Sequence, residues 1–223
     1  MPKVILCRHA EEPQNPQFKS IQTAIGMSYQ GAVRTYLLPQ LIEKLFNGNE
    51  YEVHTYTNSK NNIPVSRSYY TVQLLKGTRK FYNTSNDIDK LINGIKKSKS
   101  NNILVCWKHS HFETIIKKLT KININLKNII KDLTKINTNN QQNTLQISTS
   151  EILNITRCSP EYKTENELCK YDITKNDIKF SPIFILDTDK NTLHVSASYT
   201  LILNKETDTW TAIDLSNNIL TYK

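Results

Sequence analysis

The stretch Lys3-Val4-Ile5-Leu6-Cys7-Arg8-His9-Ala10-Glu11 decides how the chain is read. Val4 to Cys7 is apolar without period-two alternation, the pattern of a strand covered on both faces by helices. Arg8 and His9 then emerge at its carboxyl end. Ligands of open α/β sheets bind at that end, so a guanidinium beside an imidazole there predicts an oxyanion pocket. Taken alone, the pair also fits a first strand running into a polar turn, and partners must come from elsewhere in the chain.

Working outward, Glu11 to Ser20 carries Pro13 and Pro16 and reads as a loop. Ser28 is a helix N-cap, and Ala32, Tyr36, Leu37, Leu41 and Leu45 recur at helical spacing to Leu45, with Pro39 expected to kink or split the helix. Tyr51 to Thr57 alternates as a strand and ends in the polar loop Asn58 to Asn62. Pro64 suits the first turn of a helix with Val65, Tyr69, Val72 and Leu75 on its buried face and Gly77 at its end. Arg67 falls in its first turn. Asn86 to Lys97 reads as another helix, with Asp87 and Asp89 at its positive end. Asn102 to Trp107 is a second continuous apolar strand, and it hands directly to Lys108-His109-Ser110-His111. Phe112, Ile115, Ile116 and Leu119 continue as an amphipathic helix. Two buried strands therefore end in histidine.

Further on, Thr120 to Gln146 is rich in Asn, Lys, Thr and Gln, with a helical patch at Leu126 to Leu133. Ser150 to Lys179 is ambiguous, and the region around 120–179 is read as a variable insertion in a single domain spanning 1–223. Ile183 to Leu186, Leu193 to Tyr199, Leu201 to Leu203 and Trp210 to Ile213 read as strands, with a hairpin turn at Asp187 to Asn191. These are expected to add antiparallel strands to an edge. The fold expected is α/β: a three-layer α/β/α sandwich with a mainly parallel central sheet.

The 223 residues suffice for one sizeable core and carry a formal net charge of +9. Almost all of the excess is Lys; the arginines are Arg8, Arg34, Arg67, Arg79 and Arg157. No arginine stripe with interleaved aromatics occurs, so the charge is read as a solvated lysine surface and nucleic acid is disfavoured as a partner. Cys7, Cys106, Cys158 and Cys169 show no metal-ligand spacing, so no metal is expected. Two of them lie in buried strands, where Cys behaves as a small hydrophobe. No signal peptide and no membrane-spanning run is legible, and a soluble, intracellular, cytoplasmic protein is expected.

Four segments in chain order resemble the histidine phosphatase superfamily, the phosphoglycerate-mutase-like proteins. Cys7-Arg8-His9-Ala10-Glu11 is similar to its Arg-His-Gly-Glu signature, with Ala for Gly. Met27-Ser28-Tyr29-Gln30-Gly31-Ala32-Val33-Arg34 resembles its Leu-Thr-x-x-Gly-x-x-Gln-Ala segment, chiefly through Gly31. Pro64-Val65-Ser66-Arg67-Ser68-Tyr69-Tyr70-Thr71 resembles Ser-x-x-x-Arg-x-x-Gln-Thr. Ile103 to Ser110 resembles the strand that delivers the second histidine, with Ser110 for the usual Gly. The likeness covers the first half of the chain.

The resemblance implies a phosphatase in which His9 is the phosphorylated nucleophile, Arg8 and Arg67 clamp the phosphoryl group and His109 is the second histidine. It places Asn15 where some members contact phosphate with Asn. The residue types suit this chemistry. Imidazole attacks phosphorus only when neutral, and neighbouring guanidiniums disfavour its protonation. Guanidinium forks match phosphate oxygens and keep their charge. Asp87, Asp89 and Glu113 are candidates for the general acid, although the first two are equally explained as first-turn helix acids. His111 is the neighbour that competes with His109, which alone follows the strand at the motif spacing. His54 and His194 sit within strand patterns and read as structural.

The expected activity is hydrolysis of a phosphomonoester, on a small phosphorylated substrate or a phosphoprotein, without a cofactor. Mutase action is disfavoured because Glu12 stands where that version has Ser. Ala10, Ser110 and the missing obvious acid motivate an alternative, a phosphate-binding module with little or no catalysis. Net charge alone supports a third, a basic nucleic-acid binder.

Overall fold

The computed structural model describes residues 2–10, 29–58, 66–134, 144–148, 182–197, 199–204, 209–214, 216–217 and 219–222. The expected first strand is β1 (Lys3–Arg8), and its missing alternation has a direct cause. Ile5 and Cys7 enter one apolar core and Val4 and Leu6 enter a second on the opposite face. A helix, α1 (Tyr29–Leu45), covers the first core with Ala32, Val33, Leu37, Leu41 and Ile42.

Pro39 lies inside α1, which continues as one helix instead of splitting. An interior proline costs about 3 kcal/mol. Leu37, Leu38, Leu41 and Ile42 are all buried around it, and each buried aliphatic side chain contributes about 1.5–3 kcal/mol. Packing on both sides of the proline therefore outweighs the lost hydrogen bond.

Strand β2 (Glu52–Tyr56) follows, and then α2 (Arg67–Thr71). This helix is shorter than the pattern suggested. It starts after Ser66, whose Oγ accepts from the Tyr69 amide at 3.1 Å. Beyond Thr71 the chain turns, and the Arg79 guanidinium donates to the carbonyls of Gln73 and Leu75 at 2.8 and 2.9 Å, taking over acceptors that a longer helix would have used. Val72 and Leu75 are buried all the same. An unforeseen strand, β3 (Thr78–Tyr82), then pairs with β2 in parallel.

Helix α3 (Ile88–Lys96), strand β4 (Asn102–Trp107), a single 3-10 turn at His109–His111, α4 (Phe112–Thr120) and α5 (Leu126–Thr134) complete the central part. The apolar faces of α3, α4 and α5 fill the second core, where Leu91, Ile95, Phe112, Ile116, Ile129 and Leu133 are buried. Ile129 and Leu133 tie α5 into that core.

The chain continues through β5 (Thr144–Ser148), β6 (Pro182–Asp187), β7 (Thr192–Ala197), β8 (Tyr199–Asn204), β9 (Thr209–Asp214) and β10 (Ile219–Tyr222). The main sheet runs β10-β7-β6-β1-β4-β2-β3. The fold is α/β, but this sheet is mixed and not mainly parallel. Neighbours β1-β4, β4-β2 and β2-β3 pair in parallel, while β6 pairs antiparallel with β1, β7 antiparallel with β6 and β10 antiparallel with β7. The β6-β7 hairpin turns at the expected place. Asp187 Oδ1 accepts from the amides of Asp189 and Lys190 at 3.2 and 3.0 Å, and Asn191 takes the left-handed conformation at φ +51°. β8 and β9 do not join this sheet: with β5 they form a separate antiparallel sheet, ordered β5-β9-β8. No helix among the described residues is long and apolar enough to cross a membrane.

Candidate active site

The carboxyl ends of β1, β4 and β2 finish level with one another. Cys7 pairs with Cys106 and Arg8 with Trp107, and Thr55 of β2 also pairs with Cys106. Arg8 is the last residue of β1 and His9 follows it. His109 opens the 3-10 turn just after β4, which the His111 amide closes onto the Lys108 carbonyl at 3.1 Å.

Arg67 reaches the same edge by a different route. Ser66 Oγ donates to the carbonyl of Tyr56, the last residue of β2. At the other end of α2, Thr71 Oγ1 accepts from the Ala10 amide at 2.8 Å and donates to the Arg67 carbonyl at 2.7 Å. The helix carrying Arg67 is thus pinned to the end of β2 and to Ala10, the residue directly after His9.

His9 is 6% exposed, and its Nδ1 lies 2.8 Å from the Ala10 carbonyl oxygen. A carbonyl cannot donate, so Nδ1 carries the proton and donates it there. The neutral ring then has its lone pair on Nε2. Ala10, where the resembled signature has Gly, is buried and is absent from the described residues with positive φ. A methyl group at this position brings no backbone strain, and the same holds for Ser110. Arg8 Nε is buried and has no hydrogen-bond partner among the described residues. Leaving such a donor unmade costs about 1–3 kcal/mol, which an anion would offset.

The histidines after β4 differ in setting. His109 is exposed and His111 half-buried. Burial, and then the Lys108 charge, push the His111 pKa below its ordinary value. Beneath them Trp107 is fully buried, donates Nε1–H to the Ser85 carbonyl at 2.9 Å and meets the edges of Tyr56 and Tyr82.

Each carboxylate considered as general acid has a structural attachment. Asp87 Oδ2 accepts from the amides of Asn83 and Thr84, both at 3.1 Å, and its Oδ1 pairs with Lys90 at 3.0 Å. The Lys90 ammonium and these amides hold its pKa below the ordinary value. At neutral pH it is ionised and has no proton to give. Asp89 is exposed and pairs with Lys118. Glu113 Oε1 accepts from the Leu126 amide at 2.9 Å and links α4 to α5. Asn15 lies outside the described residues.

Ser66 and Thr71, which pin α2, went unread as site-building residues, although both lie in the Arg67 segment. The hydroxyls stand one residue before and four after the arginine, a spacing that could have marked them as helix anchors. His54 is structural, as read. It is wholly buried in β2, its Nε2 lying 3.2 Å from Glu52 and its Nδ1 2.9 Å from the Tyr82 hydroxyl. His194 Nδ1 lies 2.9 Å from Thr221 Oγ1 on β10.

Two cavities of about 710 Å³ border the opposite, amino ends of the parallel strands. One lies by Tyr51, Gly77 and Thr78 and the other by Lys3 and Asn101, and neither is lined by His9 or Arg67. The described residues contain no group of three or more His, Cys, Asp or Glu able to hold a metal ion. Cys7 and Cys106 are buried free thiols. No protein-family model matches the chain, and no curated protein or solved structure is significantly similar to it.

Proposed function

We propose that the chain is a metal-independent phosphatase of the histidine phosphatase type, a three-layer α/β/α protein of the cytoplasm that hydrolyses a phosphomonoester through a phosphohistidine at His9. The observation that carries this reading is the buried His9 ring, which donates Nδ1–H to the Ala10 carbonyl and so keeps its lone pair on Nε2, beside the half-buried Arg8, whose Nε is buried and without a hydrogen-bond partner among the described residues. In the first step Nε2 attacks phosphorus in line, the N–P bond forms and the P–O bond to the leaving group breaks. The phosphorylated ring is cationic, and its Nδ1–H bond to the Ala10 carbonyl becomes charge-assisted. Arg8, Arg67 and His109 hold the non-bridging oxygens. Water then attacks phosphorus, the P–N bond breaks and inorganic phosphate leaves.

Because Asp87, Asp89 and Glu113 are bound up in structural contacts, none of these three is assigned as donor of a proton to the leaving oxygen. Aryl phosphates carry leaving groups that need no proton. The test is hydrolysis of an aryl phosphate in excess chelator. Wild-type protein is expected to turn over, with His9→Ala and Arg67→Ala inactive; unchanged activity in His9→Ala contradicts the reading.

The same tied carboxylates favour a second reading, a phosphate-binding module of this fold, which predicts phosphate or vanadate bound without turnover. Strongly salt-dependent nucleic-acid binding without a phosphate site would point to a basic nucleic-acid binder instead. The substrate of the phosphatase reading is a small phosphorylated molecule or a phosphoprotein.

A further inference from the structure

We infer that Thr71 is a positioning residue for the nucleophile, fixing the His9 tautomer through residue 10 while holding the helix that carries Arg67. The inference rests on the phosphatase reading and deepens it. A helical threonine often donates to the carbonyl four residues back, as Thr71 does to Arg67 at 2.7 Å. That bond fixes its hydroxyl rotor and leaves a lone pair free. The lone pair takes the Ala10 N–H at 2.8 Å, across 61 residues of chain. Thr71 is 5% exposed, Ala10 3% and His9 6%, so water does not readily replace these bonds.

The coupling to chemistry runs through residue 10. Its N–H is held by Thr71 and its carbonyl receives Nδ1–H of His9. Holding the amide sets where the carbonyl sits, and the carbonyl selects which ring nitrogen keeps the proton. The Nδ1–H bond strengthens as the ring becomes cationic on phosphorylation. Loss of the Thr71 hydroxyl is therefore felt in the transition state and phosphoenzyme more than in substrate binding. One side chain thus ties the nucleophile to the Arg67 clamp.

The test compares Thr71→Val, which keeps the shape and removes the hydroxyl, with Thr71→Ser, which keeps the hydroxyl. With an aryl phosphate, Thr71→Val is expected to lower kcat by on the order of 10- to 100-fold, the loss typical of a slightly misplaced reacting group, while KM stays nearly unchanged. Thr71→Ser stays close to wild type. Nitrogen-15 NMR of the His9 ring reports the tautomer directly. Wild type and Thr71→Ser should show the proton on Nδ1, whereas Thr71→Val should show a mixture.

Thr71→Val with wild-type kcat and tautomer, or Thr71→Ser as impaired as Thr71→Val, overturns the inference. If Thr71→Val does not fold, hydrogen exchange of the Ala10 amide in wild type and Thr71→Ser decides. Slow exchange supports the bridge, and exchange at the unprotected rate overturns it. A wild-type protein without turnover would remove the phosphatase reading, while the tautomer and exchange measurements would still decide what Thr71 does to His9.

Discussion

His54 shows how a buried ionisable side chain is accommodated. Burial lowers its pKa more than the Glu52 hydrogen bond raises it, so the ring is neutral at neutral pH. It then donates Nε2–H to Glu52 and accepts the Tyr82 hydroxyl proton at Nδ1. Burial raises the Glu52 carboxyl, but hydrogen bonds from Lys80, Ser98 and His54 outweigh it and bring the pKa to about 2. The unfolded chain takes up a proton at residue 54 near pH 6.5, while the folded ring resists it, so stability falls as pH drops below that value. Glu52 contributes above the ordinary carboxylate range and loses its contribution as pH falls toward about 2. The melting temperature is expected to decline from about pH 7 to about pH 5, and His54→Gln should flatten that decline; an unchanged slope in the variant would contradict it. At the site itself, His109→Ala is expected to lower kcat by about 100-fold or more, the usual loss for one oxyanion donor, whereas His111→Ala should leave kcat nearly unchanged. Equal losses from both would refute the assignment of His109.

Among the elements, α3 packs so closely on β3 that a glycine is required. A Cβ built at Gly94 would meet the Tyr82 hydroxyl. Gly→Ala inside a helix ordinarily gains up to about 1 kcal/mol, but here it displaces Tyr82 from His54. Gly94→Ala is expected to destabilise by about 1–3 kcal/mol as an overpacked site, measured by denaturant unfolding; a more stable variant would contradict the contact. Leu133→Ala is expected to cost about 2–5 kcal/mol, because α5 belongs to the second core, whereas exposed Leu145→Ala should change stability by about 0.5 kcal/mol or less. What the sequence made legible follows the same physics. β1 and β4 were readable because both faces are buried and their apolar runs are continuous. β3 was not, since Thr78-Arg79-Lys80-Phe81-Tyr82 is a largely exposed edge strand held by pairing with β2. The end of α2 and the passage of α1 through Pro39 depend on tertiary contacts that local propensity does not encode.

On the scale of the whole molecule, the proposed function depends on topology bringing distant segments to one edge. The parallel strands β1, β4 and β2 end together, so residues 9, 67 and 109 come to the carboxyl end of these strands although nearly half the chain separates the first from the last. Residue types and spacing made Arg8, His9, Arg67 and His109 visible as candidates. The hydroxyl bridge through Thr71 was hidden, because it depends on which helix end meets which strand end. The antiparallel half of the sheet was read only as strands to be added at an edge; that β6 would join at β1 and that β8 and β9 would pair with β5 was decided by long-range pairing. The central claim is covalent chemistry at His9, and it is tested most directly by quenching the protein into alkali during turnover of an aryl phosphate and mapping the phosphoryl group by mass spectrometry. The account predicts an alkali-stable, acid-labile phosphohistidine at His9 that is absent from His9→Ala; turnover without phosphate on His9, or with phosphate on another residue, would contradict it.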